Sequence, residues 1–512
     1  MPSSLYLINP RSTGASYFGA EVFARYGFPG AQAIADLATV TVAALAPAGW
    51  SLSICDEHIS PIDFDHPADF VGITGKVTQA HRMLEVAAEF RRRGKVVLLG
   101  GPCVSLSPEL FCGHCDILVR GELESIAHEL FTDLELGRWK SEYFGDRGGL
   151  ALTPMPRWDL YPTERALSGC IQTSRGCPFE CEFCDVIQYL GRQQRVKPIP
   201  QILAELDVLY EHGFRTIFLA DDNFTAPRRQ AKEILAALRD WNRTRPAGSV
   251  AFNTQVSIDA ARDSELLQLL AAAGMNTVFI GIETPNEESL RETRKRQNVG
   301  VDVRARVHLF LEQGIAVTAG MIVGFDHDGP DIFARQFEFA MSLPVAVFSI
   351  GALVAPAATP LYERMKAAGR LISGGSEVAA CPWDTNIVPA RMSRQELLQG
   401  LQWLCHELYT PENFGKRVLN MIEALPVTPG PDDRLVMARR RIESEALLVI
   451  KKATELGAGE RRMMRELLGK IQEKPAARRL VLRALLRYAQ IRYLYDSAQS
   501  PGGSEFPVQA SR

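Results

Sequence analysis

The stretch of sequence that decides the fold is TSRGCPFECEFCD, residues Thr173–Asp185. It follows an apolar segment that starts at Gly169, which predicts a strand whose end releases the stretch as a loop. Cys177, Cys181 and Cys184 stand in this loop at C-x3-C-x2-C spacing. Thiolates at such tight spacing can wrap one corner of an iron–sulfur cube, so the stretch predicts a cluster site.

The loop supplies three cysteines, whereas ferredoxin-type clusters use four. The other candidates are Cys170, which begins the strand itself, and the distant Cys381 and Cys405. Three ligands without an obvious fourth indicate one iron left open for a small molecule, as in catalytic metal sites that keep a position free. The alternatives are a zinc site that lacks its fourth ligand and three unrelated thiols, and the spacing favours neither.

The composition indicates a globular protein of two or three domains, with 512 residues of which 46% are hydrophobic and 23% charged. With 57 basic and 60 acidic residues the net charge is -3, which gives no argument for a nucleic-acid partner. The sequence contains no run of about 18 apolar residues, and its N-terminus, MPSSLYLINP, lacks the features of a signal peptide. Ten cysteines in such a chain predict a reducing, cytoplasmic location.

The first 140 residues alternate short apolar segments with helical patterns. The predicted strands are Leu5–Asn9, Leu52–Cys55, Phe70–Thr74, Val96–Leu99 and Asp116–Val119, and the predicted helices are Ala31–Ala46, Gln79–Arg93 and Glu124–Gly137. Strands and helices that alternate in this way indicate a parallel sheet covered on both faces. We therefore expect a doubly wound α/β domain over residues 1–140, with its ligand at the C-terminal ends of the strands.

A linker is predicted over residues 141–165, which are rich in Gly and Pro, and a second alternating series follows within residues 166–385. Its predicted strands are Cys170–Ser174, Thr216–Ala220, Val250–Val256, Thr277–Ile282, Ala316–Val323 and Ala346–Leu353. Six units are fewer than a full eight-fold barrel needs, so a partial (β/α)6 barrel is expected. Residues 386–495 are predicted to form a helical domain and residues 496–512 a disordered tail.

The cysteine motif, with Phe183 just before its last cysteine and at the first strand of a partial barrel, resembles that of the radical S-adenosylmethionine (SAM) superfamily. The resemblance implies a 4Fe-4S cluster whose open iron binds the amino and carboxylate groups of SAM. It also implies a one-electron reduction that splits SAM into methionine and a deoxyadenosyl radical. A low-potential electron donor such as flavodoxin or ferredoxin is therefore implied as a partner.

Further strand ends match the same superfamily. The stretch implied to meet the amino group of SAM is Asp221, Asp222 and Asn223, and carboxylates do pair well with an ammonium group. Glu283, in the stretch GIET, is implied to accept hydrogen bonds from the ribose hydroxyls. Gly320 and Gly324 resemble the G-x-I-x-G pattern that passes close to the adenine. Taken singly, each is as well explained as an ordinary loop carboxylate or packing glycine; their order at successive strand ends favours the SAM interpretation.

The N-terminal domain lacks G-x-G-x-x-G after its first strand, which disfavours a dinucleotide. It offers other residues at strand ends, where glycines permit close approach of a ligand: Thr74, Gly75, Lys76, Val77, Thr78, Gly100, Gly101, Gly121 and Glu122. Such a domain followed by this barrel resembles the cobalamin-binding class of the superfamily. Residues 385–414 also resemble the C-terminal extension of a branch that includes hopanoid-modifying enzymes.

The histidine motif of cobalt-ligating cobalamin proteins, D-x-H-x-x-G after the first strand, is matched only in part. Asp56 and His58 follow the second strand, and Pro61 occupies the glycine position. We therefore expect a lower cobalt face without a histidine ligand, with Lys76 to Thr78 packed near it. The dithiol-like pair Cys112 and Cys115 lies outside a thioredoxin context and is interpreted as two free thiols.

The resemblance predicts a cobalamin-dependent methyltransferase that acts on an unactivated carbon of a small-molecule or lipid substrate. An oxidative or cyclising enzyme with the same cofactors is the first alternative, and a non-catalytic cobalamin or redox sensor the second. Residues 431–495 hold 16 basic and 8 acidic residues, which is typical of a solvated helix face but also suits peripheral contact with a membrane.

Overall fold

The computed structural model describes residues 3–12, 14–246, 248–372, 383–426 and 440–497. Cys381, the residues 427–439 and the tail beyond residue 497 lie outside these ranges, so the predicted disorder of the tail has no structural outcome. None of the described helices is long and apolar enough to cross a membrane.

The described part of the chain forms fifteen strands and eighteen α-helices. The strands are β1 (Ser4–Asn9), β2 (Gln32–Ile34), β3 (Ser51–Asp56), β4 (Phe70–Thr74), β5 (Val96–Gly100), β6 (Ile117–Gly121), β7 (Glu142–Gly145), β8 (Ala166–Ile171), β9 (Ser174–Arg175), β10 (Arg195–Val196), β11 (Thr216–Leu219), β12 (Ala251–Val256), β13 (Met275–Glu283), β14 (Ala316–Val323) and β15 (Val347–Ala352). The helices are α1 (Val22–Arg25), α2 (Leu37–Leu45), α3 (Ala80–Arg92), α4 (Pro102–Leu106), α5 (Ala127–Glu135), α6 (Val186–Tyr189), α7 (Ile199–Glu211), α8 (Arg228–Arg243), α9 (Ser264–Ala273), α10 (Glu287–Glu292), α11 (Val303–Glu312), α12 (Ile332–Ser342), α13 (Pro360–Ala367), α14 (Arg394–Leu408), α15 (Pro411–Ala424), α16 (Arg441–Ala453), α17 (Ala458–Glu473) and α18 (Arg478–Ser497).

Two parallel sheets organise the molecule. The N-terminal sheet has six strands in the order β3-β1-β4-β5-β6-β7, and helices such as α3 cover its faces with apolar residues at helical spacing. The second sheet has seven strands in the order β15-β14-β13-β12-β11-β8-β2 and contains all six predicted barrel strands. The doubly wound domain, the partial barrel and the helical C-terminal region expected from the sequence are therefore confirmed.

The helix predicted over Ala31–Ala46 is wrong in its first part. Gln32–Ile34 is the strand β2, which pairs in parallel with β8 and extends the barrel sheet by a seventh strand. Asp36 then caps α2, because its side chain accepts a hydrogen bond from the backbone amide of Thr39 at 2.8 Å. The pairing partner lies more than 130 residues away, so local periodicity could not reveal the strand.

The predicted linker contains more structure than its composition indicates. Its residues 142–145 form β7, which pairs with β6 at the edge of the N-terminal sheet. Trp158 is buried in the core of the barrel, and the hydroxyl of Tyr161 donates to Asp56 on β3 at 2.7 Å. The segment thus packs on both neighbouring domains.

The C-terminal helices pack along the partial barrel. Arg483 of α18 donates to Thr216 and Asn276, which lie near the N-terminal ends of β11 and β13. Leu494, three turns further along α18, lines the large cavity at the opposite edge of the sheet. The helical region therefore runs the length of the barrel sheet instead of forming a separate body.

Tyr409 joins this helical region to the last barrel strand. The side chain is fully buried, and its hydroxyl accepts from the amide of Phe348 at 2.9 Å and donates to the carbonyl of the same residue at 2.6 Å. The substitution Tyr409→Phe leaves both backbone groups buried without a partner, and we expect it to lower the free energy of unfolding by about 1–3 kcal/mol. Urea denaturation measures the change.

The control for this prediction is Tyr493→Phe, since the Tyr493 hydroxyl has no hydrogen bond within the described ranges of the chain. Equal stability of the two variants would contradict the role assigned to the Tyr409 hydroxyl.

Candidate cluster and cofactor site

The cluster loop, residues 176–185, leaves the barrel sheet through the antiparallel pair of β9 and β10. Gly176 opens it with φ +97°, and a Cβ there would lie 2.6 Å from a backbone oxygen of the returning chain. Only glycine fits this position without displacing the backbone. The turn places Cys181 in a buried position and leaves Cys177 and Cys184 half-buried.

The surroundings of Cys177 and Cys184 favour the protonated thiols until a metal binds. Burial raises the pKa of Cys177 and that of Cys184, the latter to about 12, so both stay protonated at neutral pH unless a cation is bound. The Nε2 atom of Gln297 lies 3.6 Å from the sulfur of Cys181. Its Oε1 is buried without a hydrogen-bond partner in the part of the chain that the structure describes, which leaves an acceptor beside the loop.

The three polar residues at the end of β11 have different surroundings. Asp221 is fully buried and accepts hydrogen bonds from the amides and hydroxyls of Thr173 and Ser174. Asn223 is also buried and donates to Ser257 at 2.6 Å. Asp222 is half-buried and accepts from the amide of Gly176 at 3.1 Å.

This arrangement distinguishes Asp222 within the predicted contact with the amino group of SAM. Burial raises the pKa of Asp222 to about 6, against the opposing effect of the hydrogen bond from Gly176. A bound ammonium would favour its ionised form. Asp221 supports the start of the cluster loop instead, because its acceptor positions are already filled.

Glu283 is held by a partner that the sequence analysis missed. The Nζ of Lys295 lies 2.7 Å from its Oε1 and 5.9 Å from the ring centre of Phe183. A Cβ at Gly281 would lie 2.3 Å from the same oxygen, so glycine is required there to seat the pair. Burial alone would lower the pKa of Lys295. The negative charge of Glu283 outweighs that effect and raises the pKa of Lys295 above its usual value.

The backbone of Glu283 has φ +68°, a conformation that is uncommon for a non-glycine residue and that clusters at functional sites. The predicted contact with ribose remains a prediction. In the sequence, Lys295 stands between Arg294 and Arg296, and nothing there distinguishes it from its neighbours.

Gly320 of β14 and Gly324, one residue beyond the strand, are both closely packed. A Cβ at Gly320 would lie 3.0 Å from the ring of Phe279, and one at Gly324 would lie 2.9 Å from Leu397 of α14. Gly324 also has φ +100°. These contacts explain the two glycines without a ligand, and the predicted approach of adenine remains a prediction.

One cavity of about 1140 Å³ lies between the strand ends of the N-terminal sheet and the barrel. Small-molecule pockets commonly measure roughly 300–1,000 Å³, so this one suits a large ligand. All the residues predicted from the N-terminal strand ends line it, namely Thr74, Gly75, Lys76, Val77, Thr78, Gly100, Gly101, Gly121 and Glu122. Its other walls include Phe218 and Ala220 of the barrel and Trp383 and Leu494 of the C-terminal region.

Gly121 and Glu122 are also explained by contacts within the protein. Gly121 has φ +74°, and a Cβ there would lie 2.1 Å from the carbonyl oxygen of Gly145 on β7, so the glycine is required by strand packing. Glu122 pairs with Arg175 at 3.0 Å and with Arg195 at 2.5 Å, which ties the N-terminal domain to the base of the cluster loop. A direct contact of Glu122 with a cofactor remains a prediction.

The cavity fits a large cofactor that carries amide groups, as cobalamin does. Gly101 has φ +99°, and a Cβ there would lie 2.8 Å from the carbonyl oxygen of Gly75, so two strand ends meet here with bare backbone. The apolar side chains of Leu7, Leu98 and Phe131 also line the cavity. The indole N–H of Trp383 on the cavity wall is buried without an acceptor among the described residues, so it can donate to a ligand.

His58 lies on the wall of the same cavity with both ring nitrogens engaged. Its Nδ1 lies 3.1 Å from Asp56, and its Nε2 accepts from the amide of Ser12 at 3.3 Å. Asp56 in turn is buried and accepts from Tyr161. His58 is therefore held by protein groups, and the expected cobalt face without a histidine ligand stays a prediction.

The other cysteines that the structure describes lie outside the cluster loop. Cys170 and Cys405 are buried, and burial raises the pKa of each thiol to about 12. Cys112 and Cys115 are free thiols in the N-terminal domain. Within the described ranges, no three His, Cys, Asp or Glu side chains converge on one metal ion. The cluster assignment therefore rests on the spacing and place of the loop and on its relatives.

Two proteins of related sequence match most of the chain. The chain is 34% identical to an uncharacterized methyltransferase of Synechocystis sp. over 74% of this chain and 71% of that protein. It is 32% identical to the hopanoid C-2 methylase of Rhodopseudomonas palustris over 65% of this chain and 64% of that protein. The chain thus spans just under two thirds of the length of the second relative.

Solved structures share the fold. The cobalamin-dependent SAM radical enzyme OxsB, with aqua-cobalamin and SAM bound, matches with a TM-score of 0.63 and 15% identity over 98% of this chain and 80% of that one. The radical SAM methyltransferase TsrM from Kitasatospora setae, with cobalamin and a 4Fe-4S cluster bound, matches with a TM-score of 0.55 and 19% identity over 73% of this chain and 80% of that one. Both likenesses support the arrangement of an N-terminal α/β domain upon a partial barrel.

Substitution of the central cysteine tests the cluster assignment. We expect Cys181→Ala to abolish the broad absorbance at about 400 nm of the anaerobically reconstituted protein, together with all cleavage of SAM, because one iron loses its thiolate. Cys115→Ala is the matched control and should retain both properties. Cleavage of SAM by the Cys181→Ala protein would contradict the assignment.

Two family matches divide the barrel from the C-terminal helices. Residues 171–340 match the radical SAM superfamily, and this range includes the cluster loop and β11 to β14. Residues 359–490 match a domain of unknown function, DUF4070. Together with the identity to the Synechocystis protein, the first match assigns the chain: it belongs to the radical SAM superfamily and is an enzyme related to the superfamily's methyltransferases.

Proposed function

We propose that the protein is a cobalamin-dependent radical SAM methyltransferase that adds a methyl group to an unactivated carbon. The observation that carries the proposal is the large cavity between the N-terminal strand ends and the barrel, lined by every strand-end residue predicted for cobalamin. A large cofactor bound in this cavity would lie between the N-terminal strand ends and the barrel. That is the arrangement which a transfer between two bound cofactors requires.

When bound, the 4Fe-4S cluster would supply the electron that cleaves SAM, and cobalamin would supply the carrier for the methyl group. The residues of this chain hold and orient these groups. Cys177, Cys181 and Cys184 would ligate the cluster, and Asp222 would accept from the ammonium of SAM. Glu283, held by Lys295, would orient the ribose.

The substrate class is inferred from the relatives and from the cavity. One relative is named for methylation of a hopanoid and another, 28% identical over 51% of this chain and 60% of that protein, for methylation of a bacteriochlorophyllide in Chlorobaculum tepidum. The apolar walls formed by Phe218 and Leu494 suit a bulky apolar molecule. We infer a lipid or a comparably large apolar small molecule as substrate.

A cyclising reaction is the second candidate. The anaerobic magnesium-protoporphyrin IX monomethyl ester cyclase of Rubrivivax gelatinosus is 26% identical over 53% of this chain and 54% of that protein. A cyclase of this kind would use the same residues to hold its cofactors, and it would not transfer the methyl group of SAM. A low-potential electron donor such as flavodoxin or ferredoxin, and a cytoplasmic location, belong to both candidates.

The products formed from SAM separate the two reactions. We would give the reduced protein, reconstituted anaerobically with cluster and hydroxocobalamin, an excess of SAM and follow both nucleoside products by mass spectrometry. Methyl transfer predicts at least one equivalent of S-adenosylhomocysteine per bound cobalamin, and deoxyadenosine beside it. Deoxyadenosine without S-adenosylhomocysteine would favour the cyclising candidate, and the absence of both products from cluster-loaded protein would contradict both.

We also infer that the C-terminal helices dock on an anionic membrane surface. A groove of about 490 Å³ lies among α16, α17 and α18. Its rim carries Leu447 and Leu468, which are 46% and 47% exposed. Lys451, Arg461 and Arg465 also line it, and none of them has an ion pair within the described ranges of the chain.

The chemistry and the place of the groove both favour a membrane over the electron donor. Its lining, among the described residues, contains no carboxylate, so exposed leucines and uncompensated cations share one surface. Leu482 in the groove precedes Arg483, which marks the N-terminal edge of the barrel sheet. The cluster loop follows the C-terminal end of β8, so the groove and the loop lie at opposite edges of the barrel sheet.

Vesicle binding tests this surface. We expect the full chain to sediment with phosphatidylglycerol vesicles but not with phosphatidylcholine vesicles, and less so as salt is added, because salt screens the cations. The double variant Leu447→Gln/Leu468→Gln and the variant Arg465→Glu should each reduce binding several-fold. Leu136→Gln, at an exposed leucine of the N-terminal domain, is the control. Equal sedimentation of all four proteins, or none with phosphatidylglycerol, would contradict the proposal.

A further inference from the structure

The helical region of unknown function begins directly on the cluster loop. Its first helix, α13, carries Leu361, whose amide donates to the carbonyl oxygen of Glu182 at 3.2 Å. Glu182 stands in the loop between Cys181 and Phe183 and is 6% exposed. A residue between two cluster ligands is therefore bound by a segment that lies outside the match to the radical SAM superfamily.

Arg364, one turn further along α13, forms a bidentate pair with Glu182. Its Nε lies 2.8 Å from Oε1 and its Nη2 lies 2.9 Å from Oε2. Parallel bonds of this kind fix orientation as well as charge. The same guanidinium donates to Asp326 at 2.5 Å and to Glu292 at 2.9 Å. One side chain thus joins the cluster loop, α10 and the turn after β14.

The charges around Arg364 make it hard to replace. The side chains of Glu182, Glu292 and Asp326 are only 7%, 12% and 19% exposed. Arg370 also pairs with Asp326, at 2.6 Å, but it does not reach the loop. Loss of Arg364 would leave the buried carboxylate of Glu182 without its counter-charge, and the loop would be expected to move to expose it.

Apolar contacts from the same region complete the support. Phe183 packs against a buried group that includes Phe325 of the barrel and Leu361 and Met365 of α13. Just after β14, Leu397 of α14 lies against Gly324, where a Cβ would come within 2.9 Å of the leucine side chain. The helical region therefore holds the loop by charge on one side and by packing on the other.

We propose that the helical region of unknown function is the clamp that keeps the cluster loop in its ligating conformation, with Arg364 as the positioning residue. The clamp acts through Glu182 and Phe183, and not on the cluster itself. This inference goes beyond the proposed function, because the clamp concerns retention of the cluster and applies whichever reaction the enzyme performs.

The rate of iron loss tests the clamp without an activity assay. We would reconstitute the full chain anaerobically, add a ferrous chelator and follow the release of iron, and record the electron paramagnetic resonance spectrum of the reduced cluster with and without SAM. Arg364→Ala should release iron at least about tenfold faster, since outer-shell partners commonly carry 10–100-fold in metal affinity. It should also alter the spectral response to SAM.

Two conservative variants keep the test decisive if Arg364→Ala fails to fold. Glu182→Gln preserves shape and removes the charge, and Arg364→Lys keeps the charge and loses the parallel bonds. Each should release iron faster than the unaltered protein. Arg291→Ala, which breaks an exposed ion pair on α10, is the control and should match the unaltered protein. Release rates and spectra equal to the control in Glu182→Gln and Arg364→Lys would overturn the proposal.

Discussion

The arrangement of the site depends on one buried carboxylate at the end of β11. Asp221 is fully buried and accepts hydrogen bonds from both the amide and the hydroxyl of Thr173 and of Ser174. A buried carboxylate is costly unless such donors surround it, so the turn before the cluster loop has little freedom to move. The direction in which the three cysteines leave the sheet follows from this contact.

Three parts of the chain then meet around the loop. Glu122 of the N-terminal domain pairs with Arg175 and Arg195 at its base, and Arg364 of the C-terminal helices pairs with Glu182 at its centre. The same three parts line the large cavity. Cofactor chemistry of this kind needs fixed distances between bound groups, and the contacts supply them through side chains that are themselves held by ion pairs.

What the sequence could predict is local. The cysteine spacing and the alternation of apolar segments identify the loop and the six barrel strands, because a strand, a turn and a thiol motif are each written within a few residues. The glycines at strand ends are also recognisable from their near neighbours in the sequence, and they predicted residues that line the cavity. For Gly121 the location was right but the cause was different, since β7, hidden in the predicted linker, requires it.

What it could not predict depends on distant partners. The strand β2 exists because it pairs with β8, and its three residues, QAI, fit a helix as well as a strand. Lys295 and Arg364 are ordinary basic residues on exposed stretches until the fold brings them to Glu283 and Glu182, the latter pair 182 positions apart. Side chains that support a site through such contacts carry no motif of their own.

The central claim is that a corrin cofactor binds in one cavity, between the N-terminal strand ends and the barrel. The most direct measurement is a crystal structure of the anaerobically reconstituted protein with cluster, SAM and hydroxocobalamin. The account predicts a cluster on Cys177, Cys181 and Cys184, and a corrin ring over Thr74 and Gly101 with no histidine on its cobalt. A corrin bound elsewhere, or a cavity that stays empty while the cluster is loaded, would contradict it.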